Sequence, residues 1–373
     1  MKKFVLMHKN KSVAKVNIND KGIVVDYIIE PDFMPFGVIE TNEDTIDKRI
    51  NQWNGDRCIP LGRPNYKDMM DKYGIKQSSN WVVKSYMCSL TDCYWFKPED
   101  SNVTWEDVNF YKNGFSSNLY KHLFYNENEE IITDFNSPDI TTNGAEPKMW
   151  TEKGDGFYLL KHYSGTKPIT VCNEYIVSKI FAKIGLDCVD YDLIKKDNKV
   201  CCESKCFIIS DKEEFVPTTD LMKEYGYTMK NVEQLMSKLG FEKEFNEMVI
   251  GDYLSGNADR HSGNFGLIID ADSRRFKKFA PLFDHGATYM YEDIDRADYF
   301  VGETKFGNAI QNVDAKYLNI VNNISESDLL EILNSVPYMR PSTKNEVFCE
   351  FFRRVEHVNS LIREKEVKYD REP

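Results

Sequence analysis

The chain has 373 residues, 41% hydrophobic and 29% charged, the balance of a globular protein long enough for about two domains. Its 48 Lys and Arg against 60 Asp and Glu leave a formal net charge of −12, which excludes a general nucleic-acid binder, because phosphate neutralisation dominates such affinity. No apolar run approaches the roughly 18 residues of a membrane span, and Phe4–Met7 is too short for a secretory leader, so a cytoplasmic protein with no membrane association is expected.

In chain order, the alternation Val13, Ala14, Lys15, Val16, Asn17, Ile18 predicts a strand. A helix is predicted around Asp44–Trp53, ended by a turn-rich stretch from Asn54-Gly55-Asp56 through Pro60 to Pro64, and a second helix near Tyr66–Tyr73. The aromatic run Tyr94-Trp95-Phe96 breaks at Pro98 and reads as core, and Asn126–Glu130 as a loop. Residues 1–130 are expected to form an N-terminal subdomain.

Residues 131–212 read as strands around one helix. Gly156–Lys161 is a short apolar strand ending in a lysine. Asn173 is the predicted N-cap of a helix with Glu174 in its first turn, Ile176, Ile180, Phe181 and Ile184 on one face, and Gly185 at its end. Strands near Val189–Ile194 and Lys205–Ile209 flank the polar turn Lys196-Asp197-Asn198. Residues 213–373 are mainly helical, with helices over Val232–Gly240, Glu242–Leu254 and Lys344–Glu366, the last carrying a core stripe that includes Val347, Phe351, Val355, Val358 and Ile362. The nine cysteines lack metal-ligand spacings and read as reduced, mostly buried thiols.

The chemistry concentrates in the run Gly256–Ile269. A helix leads in, an apolar strand leads out, and between them lie Asp259 and, five positions later, Asn264. Kinase catalytic loops use this Asp-x4-Asn spacing: the acid takes the proton of the attacking hydroxyl and the amide oxygen binds magnesium. The apolar stretch Phe279–Phe283 then delivers Asp284-His285-Gly286, a variant of the kinase Asp-Phe-Gly segment whose acid would hold magnesium against the nucleotide phosphates. Either motif alone is an ordinary turn; their order, each beside an apolar strand, is what points to phosphoryl transfer. Lys161 suits the lysine that grips the α- and β-phosphates, with Glu174 as its ion-pair partner. Asn143-Gly144-Ala145-Glu146-Pro147-Lys148 lies where a kinase keeps its phosphate-covering loop, and would supply backbone N–H groups and a charge. A solvent-exposed strand-end lysine, a helix-start acid and a surface turn are the plain alternatives for these three.

This ordered set resembles the HipA-type serine/threonine kinases, the toxin halves of bacterial toxin–antitoxin pairs, over roughly residues 137–290. The resemblance implies an α+β, protein-kinase-like two-lobed fold, with a β-rich small lobe over 131–212 and a helical large lobe over 213–373. It implies ATP and Mg2+ as cofactors, Asp259 as catalytic base, Asn264 and Asp284 as metal ligands, and Lys161 and Asn143–Lys148 on the nucleotide. It also implies autophosphorylation at Thr141 or the adjacent Thr142, a protein substrate and an antitoxin-like partner protein, and an adenine hinge near Ser210–Lys212. The family's usual N-terminal subdomain is not evident in residues 1–130.

Three other readings compete. Asp259-Arg260-His261-x2-Asn264 is also the catalytic-loop pattern of phosphoinositide-type lipid kinases, although a −12 chain suits an anionic membrane poorly. A nucleotide-binding pseudokinase or regulatory module would share the fold without turnover. A zinc or thiol enzyme would draw on His261, His285, Cys202 and Cys206.

Overall fold

In the computed structural model, which describes residues 2–116, 119, 123–124, 131–163, 168–288 and 306–369, the chain divides into two compact units. The first comprises Met1–Ser164, Lys205–Val216 and Leu267–Lys277, and the second Gly165–Ser204, Pro217–Gly266 and Lys278–Pro373.

The first unit opens with the predicted alternation. β1 (Lys2–His8), β2 (Lys11–Asn19) and β3 (Gly22–Ile28) are joined by β4 (Tyr94–Pro98) in the antiparallel order β3-β2-β1-β4. Val13, Ala14, Val16 and Ile18 of β2 are buried, as are Tyr94, Trp95 and Phe96 of β4. The sheet's core includes Ile50 and Trp53 of the helix Ile46–Arg57 and Tyr66, Met69 and Met70 of the helix Tyr66–Tyr73. The second of these helices has its predicted bounds. The first runs through the Asn54-Gly55-Asp56 expected as a turn, because tertiary contacts hold its last residue: Arg57 forks onto Asp92, Nε to Oδ2 at 2.8 Å and Nη2 to Oδ1 at 2.7 Å.

A buried clasp fixes Glu214 of β9 (Glu213–Pro217), a strand the sequence reading did not foresee, to this sheet. The Glu214 Oε1 accepts from His8 Nε2 at 2.9 Å and from the Cys93 N–H at 2.7 Å, and Arg274 Nη1 stands 4.0 Å from Oε2. β9 joins β10 (Gly266–Asp270) and β11 (Phe276–Phe279) in the order β11-β10-β9. The expected Phe279–Phe283 strand is therefore displaced toward the N-terminus, only Leu282 keeping an isolated bridge, to Cys188. β5 (Lys148–Lys153) and β6 (Gly156–His162) form an antiparallel hairpin.

In the second unit the helix expected to start at Asn173 starts at Ile169, behind Pro168, and ends as predicted at Gly185 in the left-handed conformation. β7 (Tyr191–Lys196) and β8 (Lys199–Lys205) meet through Asp197 (φ 48°) and Asn198 (φ 63°), the positive φ pair a tight hairpin requires and that Asp and Asn tolerate. The strand expected over Lys205–Ile209 is this β8, ending where the other was expected to begin. Helices Val232–Leu239, Glu242–Ser255 and Pro341–Tyr369 follow, the last burying Val347, Phe351, Val355, Val358 and Ile362. Among the described residues no helix is long and apolar enough to cross a membrane. All nine cysteines are free thiols; burial pushes that of Cys58 up to about 12.

Helix Glu242–Ser255 approaches helix Ile169–Ile184 through Gly251, where a Cβ would stand 2.8 Å from both Phe181 Cζ and Leu186 Cδ1. Gly251→Ala is expected to destabilise the protein by about 1–3 kcal/mol through overpacking, against a helix-propensity gain of about 1 kcal/mol. A denaturant midpoint equal to or above wild type would show the contact to be loose.

Candidate active site

The helix Glu242–Ser255 carries an acid, Asp252, in its last turn, and Gly256 (φ 62°) then turns the chain into the loop 257–264. An acid at that end opposes the helix dipole. Its partner is Arg260: Nε donates to Asp252 Oδ2 at 2.8 Å and Nη2 to Oδ1 at 2.9 Å, both side chains fully buried. The remaining nitrogen, Nη1, donates to the Asn264 and Phe283 carbonyls, each at 2.7 Å. One guanidinium thus ties together the helix end, the loop end and the segment bearing Asp284. Burial works against its charge, but Asp252 opposes that and raises the pKa above the ordinary arginine value.

Asn257 carries the same restraint to Asp259. Its Nδ2 donates to Asp252 Oδ1 and its Oδ1 accepts from the Asp259 N–H, both at 3.0 Å. Asn264 Nδ2 donates to the Asp259 carbonyl at 3.0 Å, so the amide oxygen is left for the acceptor role that a metal ligand needs. Thr219 supports the loop from below, its N–H on the Ser262 carbonyl at 3.0 Å. The Asp259 side chain itself is exposed on this fixed backbone. Desolvation by the surrounding protein raises its carboxyl above the ordinary range, and nearby Asp284 pushes the same way, while His261 and Arg260 pull it down.

Asp284 adopts φ 62°, a left-handed conformation that costs a non-glycine residue about 1–3 kcal/mol and persists only where its surroundings impose it. Those surroundings are explicit. The Asp284 N–H donates to the Tyr191 hydroxyl at 3.4 Å, and the His285 N–H donates to Glu174 Oε2 at 2.7 Å. Asn173 Nδ2 donates to the carbonyls of Gly286, at 3.1 Å, and Thr288. His285 Nδ1 faces Arg260 Nη2 at 3.4 Å and its Nε2 reaches the Leu282 carbonyl at 3.3 Å, which selects the neutral ring protonated on Nε2. Asn173, expected as a helix cap, instead anchors this segment.

Glu174, Asp259, Asn264 and Asp284 are therefore gathered in the second unit. The other expected site residues belong to the first. Thr141 closes the short turn Pro138–Thr141 and is buried, its hydroxyl donating to the Cys88 carbonyl at 2.8 Å. Thr142 Oγ1 donates to the Pro138 carbonyl at 2.6 Å and accepts from Trp150 Nε1 at 2.7 Å. Asn143 Oδ1 accepts from the Gly144 N–H at 2.6 Å. Gly144 has φ 101°, and a Cβ there would lie 2.1 Å from Lys148 Nζ, so the lysine folds over the glycine. Ala145, Glu146 and Pro147 complete the loop, with the Pro147 carbonyl accepting from the His162 N–H at 2.8 Å. Lys148 of β5 stands directly opposite Lys161 of β6, and both are buried. Asp139, ahead of the loop, accepts from the Trp150 N–H at 2.8 Å, and burial pushes its carboxyl up to about 6.

Sequence reasoning missed Asp252, the linking role of Asn257 and Arg260, and the anchoring role of Asn173. One signal was present: an acid in the last turn of a helix is out of place unless a buried cation answers it.

No curated protein sequence matches the chain. The model of the HipA-like C-terminal domain family matches residues 140–336, more than half of it. Two solved structures share its fold. HipA of Shewanella oneidensis MR-1, from a toxin–antitoxin system and solved with HipB and its operator DNA, aligns with a TM-score of 0.59 at 12% identity, over 97% of this chain and 98% of that one. The Helicobacter pylori proinflammatory kinase CtkA aligns with a TM-score of 0.52 at 19% identity, over 61% of this chain and 94% of that one. The fold is accordingly the α+β, kinase-like one expected from the sequence.

Removing Asp252 leaves the Arg260 guanidinium buried and uncompensated. Asp252→Ala is expected to cost about 3–5 kcal/mol in denaturant unfolding. A loss below about 1 kcal/mol, the scale of an exposed pair, would contradict a buried hub.

Proposed function

The chain belongs to the HipA-like C-terminal domain family, and on that premise we propose that it is an ATP- and magnesium-dependent serine/threonine protein kinase. The observation that carries the reading is the convergence on Arg260 of the backbone segments bearing Asp259, Asn264 and Asp284. Phosphoryl transfer asks for positioned charge more than for covalent chemistry, and this arrangement supplies positioned acids. Asp259 is exposed on a restrained backbone and its carboxyl is raised above the ordinary range, which suits the acid that accepts the proton of an attacking hydroxyl.

The donor set fits magnesium. The Asn264 Oδ1 and the Asp284 carboxylate are hard oxygen ligands, and the electrostatic influence of Asp284 on Asp259 is what a bound cation would relieve. Magnesium, when bound, neutralises charge on the transferring phosphates. Glu174 acts here by holding the His285 N–H, and with it the backbone of Asp284. Lys161 and the loop Asn143–Lys148 are assigned to the nucleotide phosphates; Lys148 and Lys161 stand directly opposite each other on the hairpin.

A protein hydroxyl is the proposed acceptor, and a partner analogous to the antitoxin is proposed from the HipA–HipB assembly of the Shewanella protein. Inhibitory autophosphorylation near Thr141 belongs to the same proposal. Both threonine hydroxyls are engaged, so the turn 138–142 has to open before either accepts a phosphate.

Asp259→Asn keeps the shape of the loop and removes the base. Phosphate incorporation, read by intact mass after incubation with ATP and magnesium in the presence of a hydroxyl-bearing acceptor protein, is expected to fall at least ~100-fold, with nucleotide affinity nearly unchanged. Incorporation at the wild-type rate would remove Asp259 from the reaction.

A further inference from the structure

Arg63 lies in the N-terminal region, ahead of the helix Tyr66–Tyr73 and outside the matched family segment, yet it reaches the loop assigned above to nucleotide phosphates. It is 2% exposed. Its Nε donates to the Gly144 carbonyl at 2.9 Å and its Nη2 to the Thr142 carbonyl at 2.5 Å, while Nη1 is buried with no hydrogen-bond partner among the described residues. Burial lowers the guanidinium to about 10, with Asp139 acting against that through space. Burying this charge costs stability, which the two carbonyl hydrogen bonds offset in part.

The geometry shows what it is needed for. Two carbonyls two residues apart converge on one planar fork, and they do so with Gly144 at φ 101°. That conformation of Gly144 is also the one over which Lys148 folds. Arg63 is itself held in place: its N–H donates to the Pro60 carbonyl at 3.0 Å, and the preceding turn is pinned where the Ile59 N–H donates to the Ile140 carbonyl at 3.2 Å. The fork therefore reads the loop from a fixed base. A lysine, with one point charge, cannot satisfy both carbonyls in the same way.

We infer that Arg63 is a positioning residue for the loop 142–148, holding it in the conformation that receives nucleotide phosphates; the inference rests on the assignment of this loop in the proposed function. The N-terminal region thereby acts on nucleotide affinity through the backbone of this loop.

The test uses the full chain with Arg63→Lys and Arg63→Met, comparing amide hydrogen exchange across 141–148 with KM for ATP and kcat. In Arg63→Met, exchange in this loop is expected to rise about tenfold over that of the β1–β2 sheet, and KM for ATP to rise about tenfold with kcat little changed. Arg63→Lys should fall between this variant and wild type in both readouts, and it remains informative if the methionine variant fails to fold. Unchanged loop exchange in both variants overturns the inference, as does raised exchange with KM unaltered. If wild type binds no ATP at all, the proposed function fails instead, and the exchange comparison alone still decides whether Arg63 holds the loop.

Discussion

The buried pairing of Asp252 with Arg260 is the constraint from which the candidate site follows. Two opposite charges with no solvent access repay little of their desolvation, and an apolar pair of the same volume commonly serves stability as well. What an apolar pair lacks is the second edge of the guanidinium. Arg260 uses that edge on the Asn264 and Phe283 carbonyls, at the end of the loop and just before Asp284. The segments bearing Asp259 and Asp284 are placed by hydrogen bonds to their backbone.

The same device appears in the first unit. Arg63 also spends its donors on main-chain carbonyls of an irregular loop, and Asp139 counters its charge at a distance. In both places an irregular loop, which lacks the ladder of hydrogen bonds that fixes a strand, takes its conformation from a buried planar fork. The strained Asp284 belongs to the same logic: its left-handed backbone is held by Tyr191, and the following residues by Glu174 and Asn173. Each of these restraints is polar and directional, which is what a site requiring fixed charges needs.

Much of this was legible in the sequence because local rules act there. The helix Tyr66–Tyr73, the Asp197-Asn198 hairpin turn, the apolar strand after Asn264 and the stripe on the last helix all follow from period and turn chemistry. The Asp-x4-Asn spacing singled out Asp259 and Asn264, and the structure ties the two within one loop, Asn264 Nδ2 donating to the Asp259 carbonyl. Two failures share one physical cause, tertiary contacts overriding local preference: Arg57 carries a helix through Asn54-Gly55, and Glu214 of β9 pairs with a histidine 206 positions away in sequence. A third is a local signal passed over, Pro168 starting a helix ahead of the expected Asn173 cap. The main-chain partners of Arg260 and Arg63 carry no such mark, since carbonyls of irregular loops leave no pattern in the sequence.

The proposed function has Asn264 and Asp284 holding magnesium against a nucleotide beside Asp259. Calorimetric titration of ATP, with and without magnesium, into wild type and Asp284→Asn decides this. Magnesium is expected to tighten ATP binding to wild type and to have little effect on the variant. Equal tightening in both proteins would place the metal elsewhere and contradict it.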